Sequence, residues 1–375
     1  MSQPQEKDRF LALDGLRGVA AVTVVLTHIM ARWPTHLPLV PFIKGGYLAV
    51  DVFFVLSGFV IAHAYGERLP ASPGAVASFL GRRWLRIYPL HFAMLALLLG
   101  LEGLKLVAEW RGAHPDVAPF SGSNDVTGLT ENLFLVQSFV PAPRFGWNAP
   151  SWSISAEAGA YLVFAAAAWA GLMRRTTVLA ACALSGILIL AVVAWRLDTL
   201  DLTHREGLVR CFAGFATGVF LERLHTLGRI PAWTERLQLP ALAALLAIAS
   251  AGHGWLVFAA PAIAVLVASL RTDRGPLAAA LATGPMQFLG RISYSVYLIQ
   301  IPLLMLTESA IKALGLRPPT GSPWHGDELS LVYLAALVAT AALSHHVIEG
   351  PGRRARLRLR RAPQPVPSPQ GVSAG

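Results

Sequence analysis

Long apolar stretches recur along the whole chain, and short polar segments separate them. A helix rises about 1.5 Å per residue, so about 20 apolar residues cross the hydrocarbon core of a bilayer. The pattern predicts an all-α, polytopic membrane helix bundle of about ten transmembrane helices. The seventh stretch is short and its boundary with the eighth is weak, so eight or nine spans are the alternatives. The predicted spans are residues 11–31, 46–65, 87–107, 151–173, 177–196, 206–224, 239–251, 254–270, 286–312 and 328–347.

The distribution of positive charge supports an even number of spans. Cytoplasmic loops of membrane proteins are enriched in Lys and Arg. With both termini in the cytoplasm, 20 of the 31 Lys and Arg residues fall on the inner side and 9 on the outer side. We therefore predict cytoplasmic N- and C-termini. Residues 1–350 form one integral membrane domain, and residues 351–375 form a disordered Arg- and Pro-rich tail near anionic headgroups.

The composition also indicates a membrane protein. The chain is 54% hydrophobic and 14% charged, whereas soluble domains carry about 25% charged residues. Its net charge of +10 is explained by Arg-rich cytoplasmic loops, so we predict no nucleic-acid partner. Cys182 and Cys211 both lie in apolar stretches, where they predict packing rather than a disulfide or a metal site.

Two ionisable side chains, Arg17 and His28, share the first predicted span. Ionisable groups inside a bilayer are costly and mark candidate functional sites. Eleven positions correspond to about three helical turns, so both side chains project from one face, roughly 16 Å apart along the axis. One helix therefore presents a cation near the inner surface and an imidazole near the outer surface.

A group of arginines lies at the inner ends of the predicted spans. Guanidinium groups suit phosphate, which accepts paired hydrogen bonds, so this group predicts an anion site. The alternatives are an ion pair between Arg17 and Asp14 and ordinary inner-side positive charge. The predicted donor-binding residues are Arg17, Arg82, Arg83, Arg86, Arg291, Ser293 and Tyr294.

A second group of polar residues lies in the outer third of the predicted bundle. Histidine is the side chain most easily poised for acid–base chemistry near neutral pH, and a carboxylate at the same depth could orient it. A purely structural histidine is the alternative. The predicted catalytic residues are His28, Arg17, Asp51 and Glu157.

The long outer connection, residues 108–150, supplies candidate acceptor contacts. Its apolar segment 131–140 is too short to span, which predicts an interfacial or re-entrant helix. The tryptophans near its end are either membrane-interface anchors or sugar-stacking groups, and nearby hydroxyls could stabilise an oxyanion. The predicted acceptor-binding residues are Trp147, Trp152, Ser153, Ser155, Tyr161 and Arg210.

An inner anion site and a reactive outer group roughly 16 Å apart suit an acyl-coenzyme A, which has a phosphorylated head, an extended arm and a terminal thioester. A lipid-linked sugar or a permeating anion would satisfy parts of the same geometry.

Several motifs resemble the acyltransferase 3 family of integral membrane acyltransferases. They are LDGLRG at 13–18 with His28 ten residues on, DVFFVLSGF at 51–59, RRWLRIYP at 82–89, SWSISAE at 151–157, GRISYSVYL at 290–298 and EGP at 349–351. The resemblance spans residues 9–356 and is specific only for the motifs taken together. The chain departs from the family pattern at Gln300, where many members have histidine, and at Ala158 and Gly159, where relatives often have an acidic residue and an aromatic.

The resemblance implies transfer of an acyl group, usually acetyl, from cytoplasmic acyl-coenzyme A to a hydroxyl of lipopolysaccharide, exopolysaccharide or another envelope glycan, or of a glycosylated small molecule. It implies that Arg17 and His28 are the essential pair and that Arg82, Arg83 and Arg86 serve the donor head group. His28 would act as general base in direct transfer, with an acyl-His relay as the alternative. The donor would be a substrate, with no permanently bound cofactor.

The resemblance also implies a multi-pass protein of the bacterial inner membrane, whose partners are the lipid bilayer, acyl-coenzyme A and a glycan. The alternative function is a proton-coupled transporter or flippase that uses His28 and the carboxylates as a relay.

Overall fold

The computed structural model describes residues 9–112, 114, 116–140, 146–315 and 322–350, without the side chains of His204, Arg205 and His253. These residues form helices and turns and no β-strand, which confirms the predicted all-α class. The predicted tail, residues 351–375, lies outside them. The α-helices of the described residues are α1 Leu11–Met30, α2 Leu48–Tyr65, α3 Pro73–Trp110, α4 Val126–Leu133, α5 Trp152–Trp169, α6 Thr176–Leu197, α7 His204–Thr226, α8 Gln238–Ala251, α9 Ala259–Leu270, α10 Pro276–Leu281, α11 Gly284–Ala313 and α12 Pro323–Ser344.

Six helices in the described part of the chain are long and apolar enough to cross a membrane, namely α1, α2, α3, α6, α11 and α12. The chain is thus an integral, multi-pass membrane protein. Helices α5 and α7 also reach 18 and 23 residues, but they carry Glu157 and Arg210, which lower their hydropathy. Helices α8 and α9 have only 14 and 12 residues. Each of the ten predicted spans therefore coincides with a helix. In the described part of the chain, however, only six helices have the length and the apolar composition of a membrane span.

Glycines bring the central helices into close contact. Helix α1 packs along α11, and α2 packs along α7. A Cβ on Gly18 of α1 would lie 2.7 Å from the backbone nitrogen of Gly290 on α11, and a Cβ on Gly214 of α7 would lie 2.8 Å from Phe54 Cβ on α2. Small residues allow such approach between membrane helices. The motif glycines therefore set the α1–α11 crossing that carries the candidate site residues.

Burial separates central from peripheral helices. In α2 and α11, 67% of the apolar window is buried inside the protein, against 28% in α6 and 22% in the last span. Exposed apolar side chains such as Leu188 on α6 and Leu331 on α12 suit contact with lipid tails, which are as apolar as they are.

The long connection between α3 and α5 differs from its prediction. A helix was expected at 131–140, but α4 covers Val126–Leu133 instead. Asp125 caps it by accepting a hydrogen bond from the Gly128 backbone, and Leu135, with φ of +55°, ends the helical path. The following residues are irregular, and their polar groups bond to the start of α5, including Ser138 Oγ to the Trp152 carbonyl at 2.7 Å. Irregular backbone at membrane depth needs such internal partners.

A kink in α11 ties this connection to the bundle. Pro302 has no N–H, so the carbonyl of Leu298 lacks its helical partner. The side-chain amide of Asn148, just before α5, donates to that carbonyl at 3.0 Å. The loop thereby satisfies the group that the proline leaves unpaired.

Candidate active site

A cavity of about 310 Å³ lies between α1, α2, α3, α5 and α11. Its wall combines apolar side chains with arginines, hydroxyls and one carboxylate. Among the described residues, no cluster of three or more His, Cys, Asp or Glu could hold a metal ion. The cavity is lined by Arg17, Val50, Phe53, Phe54, Ser57, Val60, Ile61, Arg83, Arg86, Ile87, Ser153, Ile154, Glu157, Tyr161, Ser293, Tyr294 and Tyr297.

Two of the three predicted α3 arginines line the cavity, because positions 83 and 86 share one helical face. The Arg83 guanidinium lies 5.4 Å from the ring centroid of Tyr65, and its buried Nε has no hydrogen-bond partner in the described structure. Arg86 pairs with Glu349 and lies 5.2 Å from the ring centroid of Tyr294. Arg83 thus retains an unused buried donor.

The third arginine, Arg82, is not among the residues that line the cavity. Its Nε donates to the Tyr65 hydroxyl at 3.2 Å, and its terminal nitrogen donates to Ser78 one turn earlier. Arg82 therefore braces the arginine segment rather than lining the cavity.

Arg17 shows both of the features predicted as alternatives, a place in the anion site and an ion pair with Asp14. It lines the cavity, and it also pairs with Asp14 at 3.2 Å. Asp14 is shared with Arg9, which lies closer, at 2.7 Å. Because one carboxylate serves two arginines, Arg17 keeps donors available for the cavity.

Glu157 belongs to the cavity rather than to an outer group around His28. It accepts a hydrogen bond from Ser57, which lies in the middle of α2, and it interacts electrostatically with Arg17. Tyr161, one turn further along α5, lines the same wall. Helix α5 thus places the Glu157 carboxylate beside the middle of α2. There it lines the same cavity as the arginines that were predicted to form the inner group.

His28 lies outside the cavity, near the end of α1. Its Nδ1 is 3.0 Å from Oε1 of Gln300 on α11. The expectation that Asp51 or Glu157 orients His28 is corrected by this contact, because both carboxylates have other partners. The nearest link to the cavity is Tyr297, a wall residue whose backbone oxygen accepts the Gln300 amide at 2.9 Å.

Asp51 and Arg210 form a buried pair that joins α2 to α7. Arg210 Nη2 and Nε lie 2.6 and 3.0 Å from the two Asp51 oxygens. Arg210 is 1% exposed and also donates to the carbonyls of Leu202 at 2.6 Å and Tyr47 at 2.9 Å. Its donors are thus used within the protein. This geometry does not support the predicted contact of Arg210 with an acceptor sugar.

The two tryptophans predicted to contact the acceptor are buried, Trp147 to 2% and Trp152 to 6% exposure. The Trp147 indole donates to the Asp125 carbonyl at 3.0 Å, and Trp152 lies against Arg210. Neither lines the cavity, so neither offers a free face for sugar stacking, and the interface-anchor alternative also fails because they lie inside the protein. Ser155 is likewise enclosed and donates to the Leu135 carbonyl at 2.7 Å.

The remaining predicted residues divide between the cavity and the surface. Ser153 lines the cavity and lies 2.9 Å from the Tyr297 hydroxyl. Ser293 and Tyr294 line it as well, and the Tyr294 hydroxyl donates to the Ile87 carbonyl. Arg291 is exposed and lies over the Phe288 ring, outside the cavity.

Three site residues were not selected by sequence reasoning, namely Ser57, Tyr297 and Glu349, and Gln300 was noted only as a departure from the family pattern. All four lie within or beside motifs quoted for the family resemblance, but spacing alone does not reveal which face of a helix meets the cavity. Glu349 ends a π-helical turn, His345–Glu349, and reaches Arg86 over a separation of 263 residues. No local pattern predicts such a contact.

The fold and the cavity define a multi-pass membrane protein with a cationic internal site. A family model for an acyltransferase domain, acyltransferase 3, matches residues 10–345. The chain therefore belongs to the acyltransferase 3 family, as its motifs predicted, and the predicted acyltransferase class is confirmed at the level of the family.

Curated relatives match parts of the chain. Acyltransferase MdmB of Streptomyces mycarofaciens is 35% identical over 182 residues, which cover 47% of this chain and 43% of that protein. Protein 2 in the picA locus of Rhizobium radiobacter is 45% identical over 94 residues, 24% of this chain and 44% of that protein. Peptidoglycan O-acetyltransferase OatA of Listeria monocytogenes is 26% identical over 160 residues, 41% of this chain and 23% of that protein. The chain spans less than half the length of these relatives. No solved structure matches it.

Proposed function

We propose that the protein is a membrane-bound O-acyltransferase that moves an acyl group, acetyl by preference, from acyl-coenzyme A to a hydroxyl of an envelope or exported glycan. The observation that carries this proposal is the arginine-lined cavity beside the helix that bears His28. A relative named acyltransferase supports acyl transfer, and one named peptidoglycan O-acetyltransferase supports a glycan hydroxyl as acceptor.

The donor's phosphates bind Arg83, Arg86 and Arg17. Three guanidiniums line this cavity beside one carboxylate, while Glu349 and Asp14 pair with Arg86 and Arg17 from outside the lining. The unpartnered Nε of Arg83 is a buried donor that a phosphate oxygen would satisfy. Ser293 and Tyr294 line the same cavity, with Tyr294 against Arg86, and suit contact with the polar pantetheine arm.

His28 acts as general base at the other end of the donor, roughly 16 Å from Arg17 along α1. The acceptor oxygen bonds to the thioester carbonyl carbon while its proton moves to His28. The carbon–sulfur bond then breaks, and the imidazolium returns the proton to the coenzyme A thiolate. An acyl-His relay is the alternative route. Asp51 supports the fold through Arg210, while Glu157 acts within the donor cavity.

The membrane arrangement follows from this donor. Acyl-coenzyme A is cytoplasmic, so the arginine end of the cavity faces the cytoplasm, in agreement with the excess of positive charge on that side. We propose ten passes, cytoplasmic termini and residence in a bacterial inner membrane. In this arrangement residues 1–350 make up the membrane domain, and the Arg- and Pro-rich segment 351–375 lies on the cytoplasmic side.

A proton-coupled transporter or flippase finds less support. A relay needs His28 in contact with carboxylates, whereas its hydrogen-bond partner in the described structure is the neutral Gln300. Asp51 is engaged by Arg210, and Glu157 by Ser57.

The test is transfer of label from acetyl-coenzyme A to candidate glycans by the purified full chain in a lipid nanodisc. We expect His28→Ala to abolish about 99% or more of the transfer, because a positioned base contributes about 10²–10⁴-fold. His346→Ala, at an exposed histidine beyond α12, is the matched control and should retain activity. A His28→Ala protein that inserts normally and keeps full activity would overturn both the direct and the relay mechanisms.

A further inference from the structure

The side-chain amide of Gln300 faces the imidazole of His28. His28 Nδ1 lies 3.0 Å from Gln300 Oε1, and Gln300 is 0% exposed. An amide oxygen only accepts hydrogen bonds, so Nδ1 must be the donor. In a neutral imidazole the lone pair is then on Nε2.

The amide of Gln300 has one favourable orientation. Its Nε2 donates to the backbone oxygen of Tyr297 at 2.9 Å. If the amide were turned over, Oε1 would face that carbonyl oxygen, and two buried acceptors would meet without a proton between them. The amide oxygen is therefore directed at His28.

The turn of α11 that carries Gln300 is held from two sides. The Tyr333 hydroxyl of α12 donates to the Gln300 backbone oxygen at 2.7 Å. On the other side, Asn148 donates to the Leu298 carbonyl that Pro302 leaves unpaired. The α11 kink and its two partners thus fix the position of the amide.

The neutrality of Gln300 distinguishes it from a carboxylate partner. The charged groups that act on His28 electrostatically are Arg32 and Asp201, while the facing helix α11 supplies an uncharged amide. A carboxylate there would also stabilise the imidazolium and would add a costly charge inside the membrane. Gln300 selects the tautomer without adding that charge.

We propose that Gln300 is a positioning residue for acyl transfer, which keeps the proton of His28 on Nδ1 and presents Nε2 to the acceptor hydroxyl. The catalytic consequence rests on the proposed function of His28 as base. The tautomer does not, and it can be measured in the resting protein.

The direct test is nitrogen NMR of the full chain labelled with 15N-histidine in nanodiscs, with the His28 signals identified by their loss in His28→Gln. We expect a protonated Nδ1 and an unprotonated Nε2 in the wild type. We expect Gln300→Met to lose this preference, because methionine offers no comparable acceptor. A wild-type His28 protonated on Nε2 would overturn the proposal, whatever the activity.

The kinetic test compares Gln300→Met with Gln287→Met. Gln287 is another buried amide of α11, which donates to the Leu11 carbonyl at 2.7 Å, so it controls for loss of a buried amide. We expect Gln300→Met to lower kcat about 10- to 100-fold with an unchanged KM for acetyl-coenzyme A, since loss of the partner that orients a histidine costs about this factor in metal sites. Gln287→Met should leave kcat unchanged.

The Gln300→Glu variant adds a second measurement, the pH–rate profile, which would not change if Gln300 had only a structural role. The carboxylate stabilises the protonated imidazole, so neutral His28 appears at higher pH, and the acid limb of the pH–rate profile should move up by about one unit or more. An unmoved limb, or a Gln300→Met enzyme with wild-type kcat, would refute the role of Gln300 while an inactive His28→Ala still supports the base. Full activity of His28→Ala would instead refute the proposed function, and the NMR result would stand by itself.

Discussion

Asp51 and Glu157 look alike in the sequence and differ in the folded chain. Each is a single carboxylate near the start of an apolar helix, and each was a candidate partner for His28. Both oxygens of Asp51 are held by Arg210. Glu157 accepts from Ser57 and lines the cavity together with two α3 arginines.

The difference shows when a buried charge is available for chemistry. The donors of Arg210 bond to Asp51 and to two backbone carbonyls, and the void that Asp51 lines measures only about 10 Å³. Around Glu157, a cavity of about 310 Å³ and an unpaired Arg83 donor leave room and bonding capacity. We therefore expect changes at Asp51 to alter stability and changes around Glu157 to alter kinetics.

Asp51→Asn should have the largest effect on stability. Asparagine cannot neutralise Arg210, and removing one partner of a buried ion pair costs about 3–5 kcal/mol. The measurement is the unfolding midpoint of the purified protein and its yield in membranes. The double variant Asp51→Leu with Arg210→Met should recover much of the loss, since an apolar pair leaves no buried charge uncompensated.

The control for this prediction is Asp116→Asn, which breaks an exposed pair with Lys312. Surface pairs contribute little, so the midpoint should not move measurably. Equal effects of Asp51→Asn and Asp116→Asn would show that the buried pair is not structural.

Arg83→Met should have the next largest effect, this time on binding. Loss of hydrogen bonds to a charged group costs about 1.5–3 kcal/mol, which corresponds to a KM for acetyl-coenzyme A raised about 10- to 100-fold at little change in kcat. Arg82→Met is the matched control, because Arg82 precedes it in the chain but bonds to Tyr65 and Ser78 outside the cavity. If Arg82→Met raises KM as much as Arg83→Met, the cavity is not the phosphate site.

Sequence reasoning reached the class of fold because apolar length and charge bias act locally along the chain. It also selected Arg17, Arg83 and Arg86, which the cavity brings together. It could not separate Asp51 from Glu157, since their predicted depths in the membrane are similar and their partners lie on other helices. Arg210 is 159 residues from Asp51. Which side of a helix meets its neighbour is set by close packing between helices, such as that at Gly18, and not by the periodicity of the sequence alone.

Glu157→Gln should act on kinetics rather than on stability. Glutamine can still accept the Ser57 hydrogen bond, so we expect the free energy of unfolding to change by less than about 1 kcal/mol. A neutral glutamine no longer balances the positive charge of Arg17 across the cavity, so we expect kcat/KM to fall about tenfold. Steady-state kinetics beside an unfolding curve measure both. A large loss of stability without a kinetic effect would make Glu157 equivalent to Asp51 and remove the contrast between them.

Ser57→Ala should have the smallest effect and tests whether Ser57 acts through Glu157. Loss of one hydrogen bond to a carboxylate costs about 1–3 kcal/mol at most, and cavity water can replace part of it, so we expect kcat/KM to fall about fivefold. If the hydroxyl matters only because it holds Glu157, the double variant with Glu157→Gln should be no slower than Glu157→Gln alone, since interacting neighbours are not additive. Multiplicative losses would instead assign Ser57 a contact of its own with donor or acceptor, because its hydroxyl also borders the cavity.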